Sequence, residues 1–289
     1  MGRMVPQVSA EEAELSKQTK KDTQAYTSRT LERCFSIPHT MHKRTYGLIG
    51  YPLGHSFSKG YFTEFFALNG VNAEYKNFEI PQIGDLRNVL AEESNLEGFN
   101  VTIPYKQQIF DFLDEVDDAA QAIGAVNVVK LTHQGERTTL KGYNTDAIGF
   151  GDSIRPLLQP HHTHALILGT GGASKAVDYA LRQLGLQTRF VSRTAREEVL
   201  GYNDLTPELL EQYTVIVNTT PLGMHPKVDT CPPLDYTAIG TRHLLFDVVY
   251  NPLKTRFLQL GEQSGATICN GMEMLIGQAK AAWKIWNEE

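Results

Sequence analysis

The segment Ala165-Leu-Ile-Leu-Gly169-Thr-Gly171-Gly172-Ala173-Ser174-Lys-Ala176 constrains this chain more than any other. An unbroken apolar run predicts a buried strand, the glycines a tight turn, and the residues after them a helix. That order places backbone N–H groups at a helix N-terminus, where a dinucleotide pyrophosphate can sit. Gly169 and Gly171 take the first two positions of G-x-G-x-x-G, whereas Ser174 stands at the third. A tight strand-to-helix turn without a ligand is the plainer alternative.

The end of the next expected strand, Gln187 to Val191, bears on which dinucleotide could bind. A carboxylate there takes a ribose 2′-hydroxyl, and an Arg accommodates a 2′-phosphate. Here the strand runs into Ser192-Arg193-Thr194-Ala195-Arg196, with no carboxylate at the strand end and two guanidinium groups able to bond a phosphate. NADP is therefore the expected cofactor.

The first half of the chain alternates strand and helix and predicts an α/β domain with a mostly parallel sheet. Strands are expected near Tyr46–Gly50, Glu74–Ile80 and Glu97–Ile103, separated by helices Ser58–Leu68 and Pro81–Ala91. The third strand leads into Asn100-Val-Thr-Ile-Pro-Tyr-Lys106, where Pro104 is expected to open a helix that presents Lys106 in its first turn. A helical stretch over Glu115–Ile123 and a hairpin made of Ala125–Leu131 and Arg137–Lys141 should follow. In Tyr51-Pro-Leu-Gly-His-Ser56-Phe-Ser58 two hydroxyls lie two residues apart and can converge on one anion, typically a carboxylate. Ser58 can equally cap the helix that carries Tyr61, Phe62, Phe65 and Phe66. Asn127, Asp146 and Gln278 each place a polar group beside a glycine or an apolar run. Taken singly they read as a turn residue, a helix cap and a solvated helix position.

Taken in order, the Ser-x-Ser turn, the NVTIPYK segment, Asn144-Thr-Asp146, the glycine loop and the C-terminal Gln278 resemble the shikimate dehydrogenase family from Tyr46 to about Trp286. The resemblance implies an N-terminal α/β substrate domain and a Rossmann-type dinucleotide-binding domain with a cleft between them. The expected boundaries are 45–145 plus 271–289 for the first and 146–270 for the second. It implies NADPH-dependent reduction of 3-dehydroshikimate to shikimate in aromatic amino acid (chorismate) biosynthesis, with Lys106 as proton donor and Asp146 as its partner. Ser56 and Ser58 would hold the substrate carboxylate, Thr102, Asn127 and Gln278 its ring hydroxyls, and Tyr250 would contact it from the other side of the cleft. For NADP the resemblance points to Gly169, Gly171, Gly172, Ala173 and Ser174 in the loop and to Ser192, Arg193 and Thr194 at the strand end. Asn218, Thr219, Val248 and Gly271 complete the cofactor set. The chain departs from the family's Asn-Arg-Thr-x-x-Arg pattern by carrying Ser192 in place of Asn and Glu197 in place of the second Arg. An NAD-dependent quinate/shikimate enzyme and a non-catalytic NADP-binding sensor are the rival readings. The second is disfavoured by the presence of both Lys106 and Asp146.

Charge narrows the partners. A formal net charge of -6 provides no basic footprint for nucleic acid or an anionic membrane. No apolar run reaches the roughly 20 residues that span a bilayer. The cysteines, Cys34, Cys231 and Cys269, lie far apart without metal-ligand spacing, so neither a disulfide framework nor a metal site is expected and a cytoplasmic location fits. His161, His162 and His164, without acidic or cysteine company, read as a solvated loop. Residues 1–44, rich in Lys, Glu, Gln, Thr and Ser, read as a disordered extension, with Met41 an alternative start and a transit peptide disfavoured by Glu11, Glu12 and Glu14. The protein is expected as a monomer or homodimer acting on a small molecule.

Overall fold

Two six-stranded sheets, each with its own apolar core, account for most of the computed structural model, which describes residues 42–54, 57–135 and 137–288. In the first sheet the order is β2-β1-β3-β5-β6-β4, built from β1 (Arg44–Gly50), β2 (Ala73–Glu79), β3 (Leu96–Val101), β4 (Glu115–Val116), β5 (Val128–Gln134) and β6 (Arg137–Tyr143). Strands β1, β2 and β3 run parallel, and the β5–β6 hairpin adds to β3 antiparallel. Helix α1 (Phe57–Asn69) buries Tyr61, Phe62, Phe65 and Phe66, the four aromatic residues that its spacing placed on one face.

The second sheet, β12-β11-β10-β7-β8-β9, is parallel throughout. Its strands are β7 (His164–Leu168), β8 (Gln187–Ser192), β9 (Val199–Gly201), β10 (Val215–Asn218), β11 (Leu244–Asp247) and β12 (Thr267–Cys269). This is the doubly wound Rossmann order, and its direction reverses between β7 and β10, the position at which ligands bind in such sheets. β7, β10 and β11 are almost fully buried runs, as strands covered on both faces must be.

The remaining helices are α2 (Leu86–Glu92), α3 (Asp118–Ile123), α4 (Thr145–Ile154), α5 (Gly172–Gln183), α6 (Pro207–Gln212), α7 (Arg256–Gln263) and α8 (Met272–Asn287). The chain returns through α8 to the first sheet, where Trp283 and Trp286 pack against Tyr46, Phe62, Phe65 and Phe66. The Trp286 indole also donates to the carbonyl of Val129 at 3.0 Å. Helix α4 packs on both α8 and α5 and so joins the two halves, with Ala147, Phe150 and Ile154 in the core beneath the second sheet.

Several expectations change. Lys106 lies in a turn, not a helix: residues 103–107 turn before the 3-10 segment Gln108–Phe112, and the Tyr105 N–H closes a tight turn on the Thr102 carbonyl at 2.9 Å. The expected Pro81–Ala91 helix begins only at Leu86, after a 3-10 turn at Ile83–Asp85. Glu115 and Val116 form an edge strand ahead of α3, whose N-cap is Asp117. His162 is buried at 8% exposure instead of solvated, with Nδ1 accepting from the Gln159 N–H at 2.9 Å and Nε2 bonding the Arg242 carbonyl at 3.1 Å. Of the expected extension over 1–44, residues 1–41 fall outside the described residues. Arg44 belongs to the sheet, bonds Asn287 at 2.8 Å and lies over the Trp283 ring.

Candidate active site

The C-terminal ends of β1 and β3 and the start of β5 converge on a cavity of about 450 Å³ that includes Ser58, Asn100, Thr102, Lys106, Asn127, Asp146, Tyr250 and Gln278 in its lining. Its centre is an ion pair. Lys106 Nζ lies 2.6 Å from Asp146 Oδ2, and the two side chains are 21% and 7% exposed. The other Asp146 oxygen accepts from Asn127 Nδ2 at 2.9 Å. Asp146 is thereby fixed from two sides, and the ammonium has three donors of which this pair uses one.

Local sequence explains why Asp146 stays free for this work. Asn144, not Asp146, is the N-cap of α4, accepting from Ala147 N–H at 3.2 Å while its own amide bonds the Ala125 carbonyl. Asn127 accepts from the Thr145 N–H at 2.7 Å and reaches Gln278 Oε1 at 3.3 Å, so three distant segments share one amide. Gln278 reaches the cavity because α8 lies against α4 with almost no space between them. A Cβ on Gly149 would lie 2.7 Å from the Gln278 backbone nitrogen and collide with the Met274 carbonyl.

Ser58 sits in the first turn of α1, one residue past its start, so it does not cap that helix. Its hydroxyl instead bonds the buried Tyr75 phenol, which donates to Asn100 Oδ1 at 2.7 Å, and burial pushes the Tyr75 pKa up. Ser56 lies outside the described residues. Thr102 is held by its N–H to the Ile49 carbonyl at 2.9 Å. Tyr250, its pKa raised by burial, packs near Phe57 with ring centroids 6.0 Å apart. Tyr51, Leu53, Phe57, Ile103 and Leu275 also line the cavity and were not singled out from sequence. Their signal was adjacency to the Ser-x-Ser and NVTIPYK segments and, for Leu275, to Gln278 on the same helix.

A second cavity, of about 850 Å³, opens at the ends of β7, β8 and β10. Gly169, Gly171, Ser192, Arg193, Thr194 and Thr219 line it as the sequence suggested, together with Arg196. Thr170, Val191, Tyr202, Thr220, Pro221, Leu222, Cys231 and Pro233 complete the wall. Thr170 lies within the glycine loop and Thr220, Pro221 and Leu222 directly follow Asn218 and Thr219, whereas Tyr202, Cys231 and Pro233 had no sequence signal. Gly169 has a φ of +111°, and a Cβ there would come within 2.7 Å of Thr219 Oγ1. Gly171 and Gly172 face open space, and no side chain caps the start of α5. Uncapped N–H groups beside open space, exposed Arg193 and Arg196, and a lining without any carboxylate fit a dinucleotide with a 2′-phosphate.

Six of the cofactor candidates do not line this cavity. Ser174 is fully buried, and its hydroxyl donates back to the Gly171 carbonyl at 2.6 Å. Ala173 and Gly172 stand beside the turn. Asn218 is fully buried, its amide bonding Asp247 at 3.0 Å and its oxygen accepting from Thr220. Val248 packs into the core, and Gly271 is the residue that lets the Val248 carbonyl approach, since a Cβ there would collide with it.

Fold and paired cavities together define the two-domain class of nicotinamide-dependent oxidoreductases, a mixed α/β unit and a Rossmann unit with a reactive ion pair at the substrate side. A family model for the shikimate dehydrogenase substrate binding domain matches residues 48–129. A shikimate dehydrogenase (NADP(+)) of Clostridium beijerinckii is 38% identical over 253 residues, covering 84% of this chain and 92% of its own length. The Thermus thermophilus shikimate 5-dehydrogenase, solved in complex with NADP(H) and shikimate, is 30% identical with a TM-score of 0.73, covering 84% and 93% of the two chains. The Listeria monocytogenes shikimate 5-dehydrogenase, solved with shikimate and NAD, is 27% identical with a TM-score of 0.77, covering 88% and 95%. The chain belongs to the shikimate dehydrogenase family.

Proposed function

We propose that the protein is a shikimate dehydrogenase that reversibly reduces 3-dehydroshikimate to shikimate with NADPH, in the cytoplasm. The observation that carries this reading is the Lys106–Asp146 pair at 2.6 Å, braced by Asn127 inside a cavity, in a chain whose second sheet carries a dinucleotide-type turn. We assign residues 45–145 and 271–289 to the substrate domain and 146–270 to the cofactor domain. The core around Ile49, Phe99 and Val129 and the core around Leu166, Ile216 and Leu245 each fall within one of these domains and support that division.

When bound, NADPH supplies the hydride. The residues of this chain do the rest. As the ketone carbon is reduced its oxygen gains negative charge, and Lys106 Nζ–H is the donor placed to pass a proton to it. Asp146 keeps the ammonium oriented and remains an acceptor for a neighbouring hydroxyl. Gln278, Asn127 and Thr102 are placed to bond ring hydroxyls, and Ser58 a carboxylate, which fixes one face of the ketone. In the cofactor cavity Arg193 and Arg196 are the groups for the 2′-phosphate, and the open start of α5 is the cradle for the pyrophosphate.

The test is the initial rate of shikimate oxidation by purified protein with NADP or NAD, with quinate as a competing substrate. Turnover with shikimate and NADP supports the reading. Dominant activity with NAD or quinate would replace it with the neighbouring specificity and point to the Ser192–Glu197 segment as the cause.

A further inference from the structure

One fully buried carboxylate has no part in the chemistry above. Asp247, at the end of β11, is 0% exposed. Its Oδ1 accepts from Asn218 Nδ2 and from the Val249 N–H, each at 3.0 Å, and its Oδ2 accepts from Thr255 Oγ1 at 2.5 Å. Three donors on one carboxylate favour the ionised form, while burial opposes it and pushes the pKa up to about 7. Leaving such a group in the core is costly unless its bonds are needed where they are.

The bonds run in two directions. Through Asn218, Oδ1 reaches Thr220: the Asn218 oxygen accepts from the Thr220 N–H at 3.1 Å and its hydroxyl at 2.6 Å, and that hydroxyl accepts from Leu222 N–H at 3.3 Å. Thr219, Thr220, Pro221 and Leu222 form one wall of the cofactor cavity. In the other direction, the Val249 N–H fixes the start of the turn whose next residue, Tyr250, lines the substrate cavity. The Val249 carbonyl in turn accepts from Gly271 N–H at 3.2 Å, immediately before the helix that carries Gln278.

We propose that Asp247 is a positioning residue that sets, from one carboxylate, both the Thr219–Leu222 wall of the cofactor cavity and the Tyr250 wall of the substrate cavity. It lines neither cavity. Oδ1 serves the two walls, and Oδ2 serves Thr255, the N-cap of α7. The three bonds therefore have separable effects. The assignment of the two cavities rests on the function proposed above, whereas the brace itself rests on hydrogen bonds that exist whatever the ligands are.

The experiment compares Asp247→Ala, Asn218→Ala and Thr255→Val for steady-state kinetics and thermal midpoint. Asp247→Ala removes the acceptor that both walls share and should raise the KM for NADP+ and for shikimate together, each by about three- to tenfold. Asn218→Ala cuts the link toward Thr220, so it should raise the KM for NADP+ with the shikimate KM within about twofold. Thr255→Val should lower the thermal midpoint and leave both KM values within about twofold, since the Oδ1 bonds survive. A lower midpoint with unchanged KM values in Asp247→Ala would reduce the residue to a stability role and overturn the proposal. Should Asp247→Ala fail to fold, the split in Asn218→Ala decides: equal changes in both KM values, or none, reject the brace. Wild-type protein inactive on shikimate with either cofactor would instead reject the functional assignment, and in that case cofactor affinities from calorimetry carry the same three-variant comparison.

Discussion

The two cavities are built on opposite plans. In the substrate cavity the functional groups hold one another: Lys106 on Asp146, Asp146 on Asn127, Asn127 on Thr145 and Gln278, and Ser58 on Tyr75. In the cofactor cavity the start of α5 has no side-chain cap, and the cationic groups, Arg193 and Arg196, are exposed and follow the end of β8. The first arrangement is preorganised before any ligand arrives, which suits the step in which charge develops. The second leaves N–H groups and guanidinium groups for an anion to complete, which suits binding. Substitutions in the two cavities should therefore fail differently, the first in turnover and the second in affinity.

Lys106→Ala should give the largest effect. Loss of the group proposed to exchange the proton should lower kcat for shikimate oxidation by about 10²- to 10⁴-fold, with cofactor affinity unchanged. Stopped-flow rates beside a cofactor titration read both quantities. Near-wild-type turnover would break the contrast at its catalytic end.

Next come the guanidinium groups. Arg193→Gln and Arg196→Gln should each lower kcat/KM with NADP+ by about tenfold, the scale of a lost hydrogen bond to a charged group, and leave the value with NAD nearly unchanged. Arg196 is placed for this by reciprocal backbone bonds to Val199, 3.0 Å and 2.9 Å, across a tight turn in which Glu198 has a φ of 62°. Equal losses with both cofactors would show that these arginines act on the fold and not on the 2′-phosphate.

A pair of glycines sharpens the same contrast at smaller amplitude. A Cβ on Gly171 meets nothing within 4 Å, so Gly171→Ala should keep its thermal midpoint while the KM for NADP+ rises, because the methyl enters the cradle. Gly149→Ala lies under the substrate cavity, where the added methyl meets the α8 backbone at Met274 and Gln278. Overpacking of this kind costs about 1–3 kcal/mol, readable as a lower midpoint. Reversed outcomes would mean that the cofactor turn, not the substrate side, is the rigid one.

This contrast also explains what could be read from sequence. The cofactor turn was legible because its signal is local: an apolar run, glycines at fixed spacing, and arginines one strand later. The Lys106–Asp146 contact spans 40 positions and was reachable only through the family resemblance, since nothing local distinguishes Asp146 from a helix cap. Asn218 and Ser174 look like ligand-facing polar residues at strand and helix ends. Only the fold shows that their hydrogen bonds are spent inward, on Asp247 and on Gly171. Strands β9 and β12 are three residues each, too short to carry a periodic pattern.

The smallest predicted effect distinguishes the two halves by acid response. His162, just before β7 in the cofactor half, is buried with Nδ1 accepting from Gln159 N–H, a bond that requires the neutral ring. Burial lowers its pKa below the usual 6.5. The unfolded chain therefore binds a proton at a pH where the folded chain does not, so stability rises with pH across that interval. The contribution is intact above about 6.5 and is lost as pH falls toward the depressed folded value. Urea midpoints between pH 7.5 and 5.5 should fall with acid, and His162→Gln should flatten that slope. If the slope persists unchanged in His162→Gln, the acid sensitivity belongs to other groups, and the cofactor half loses this distinction from the substrate half.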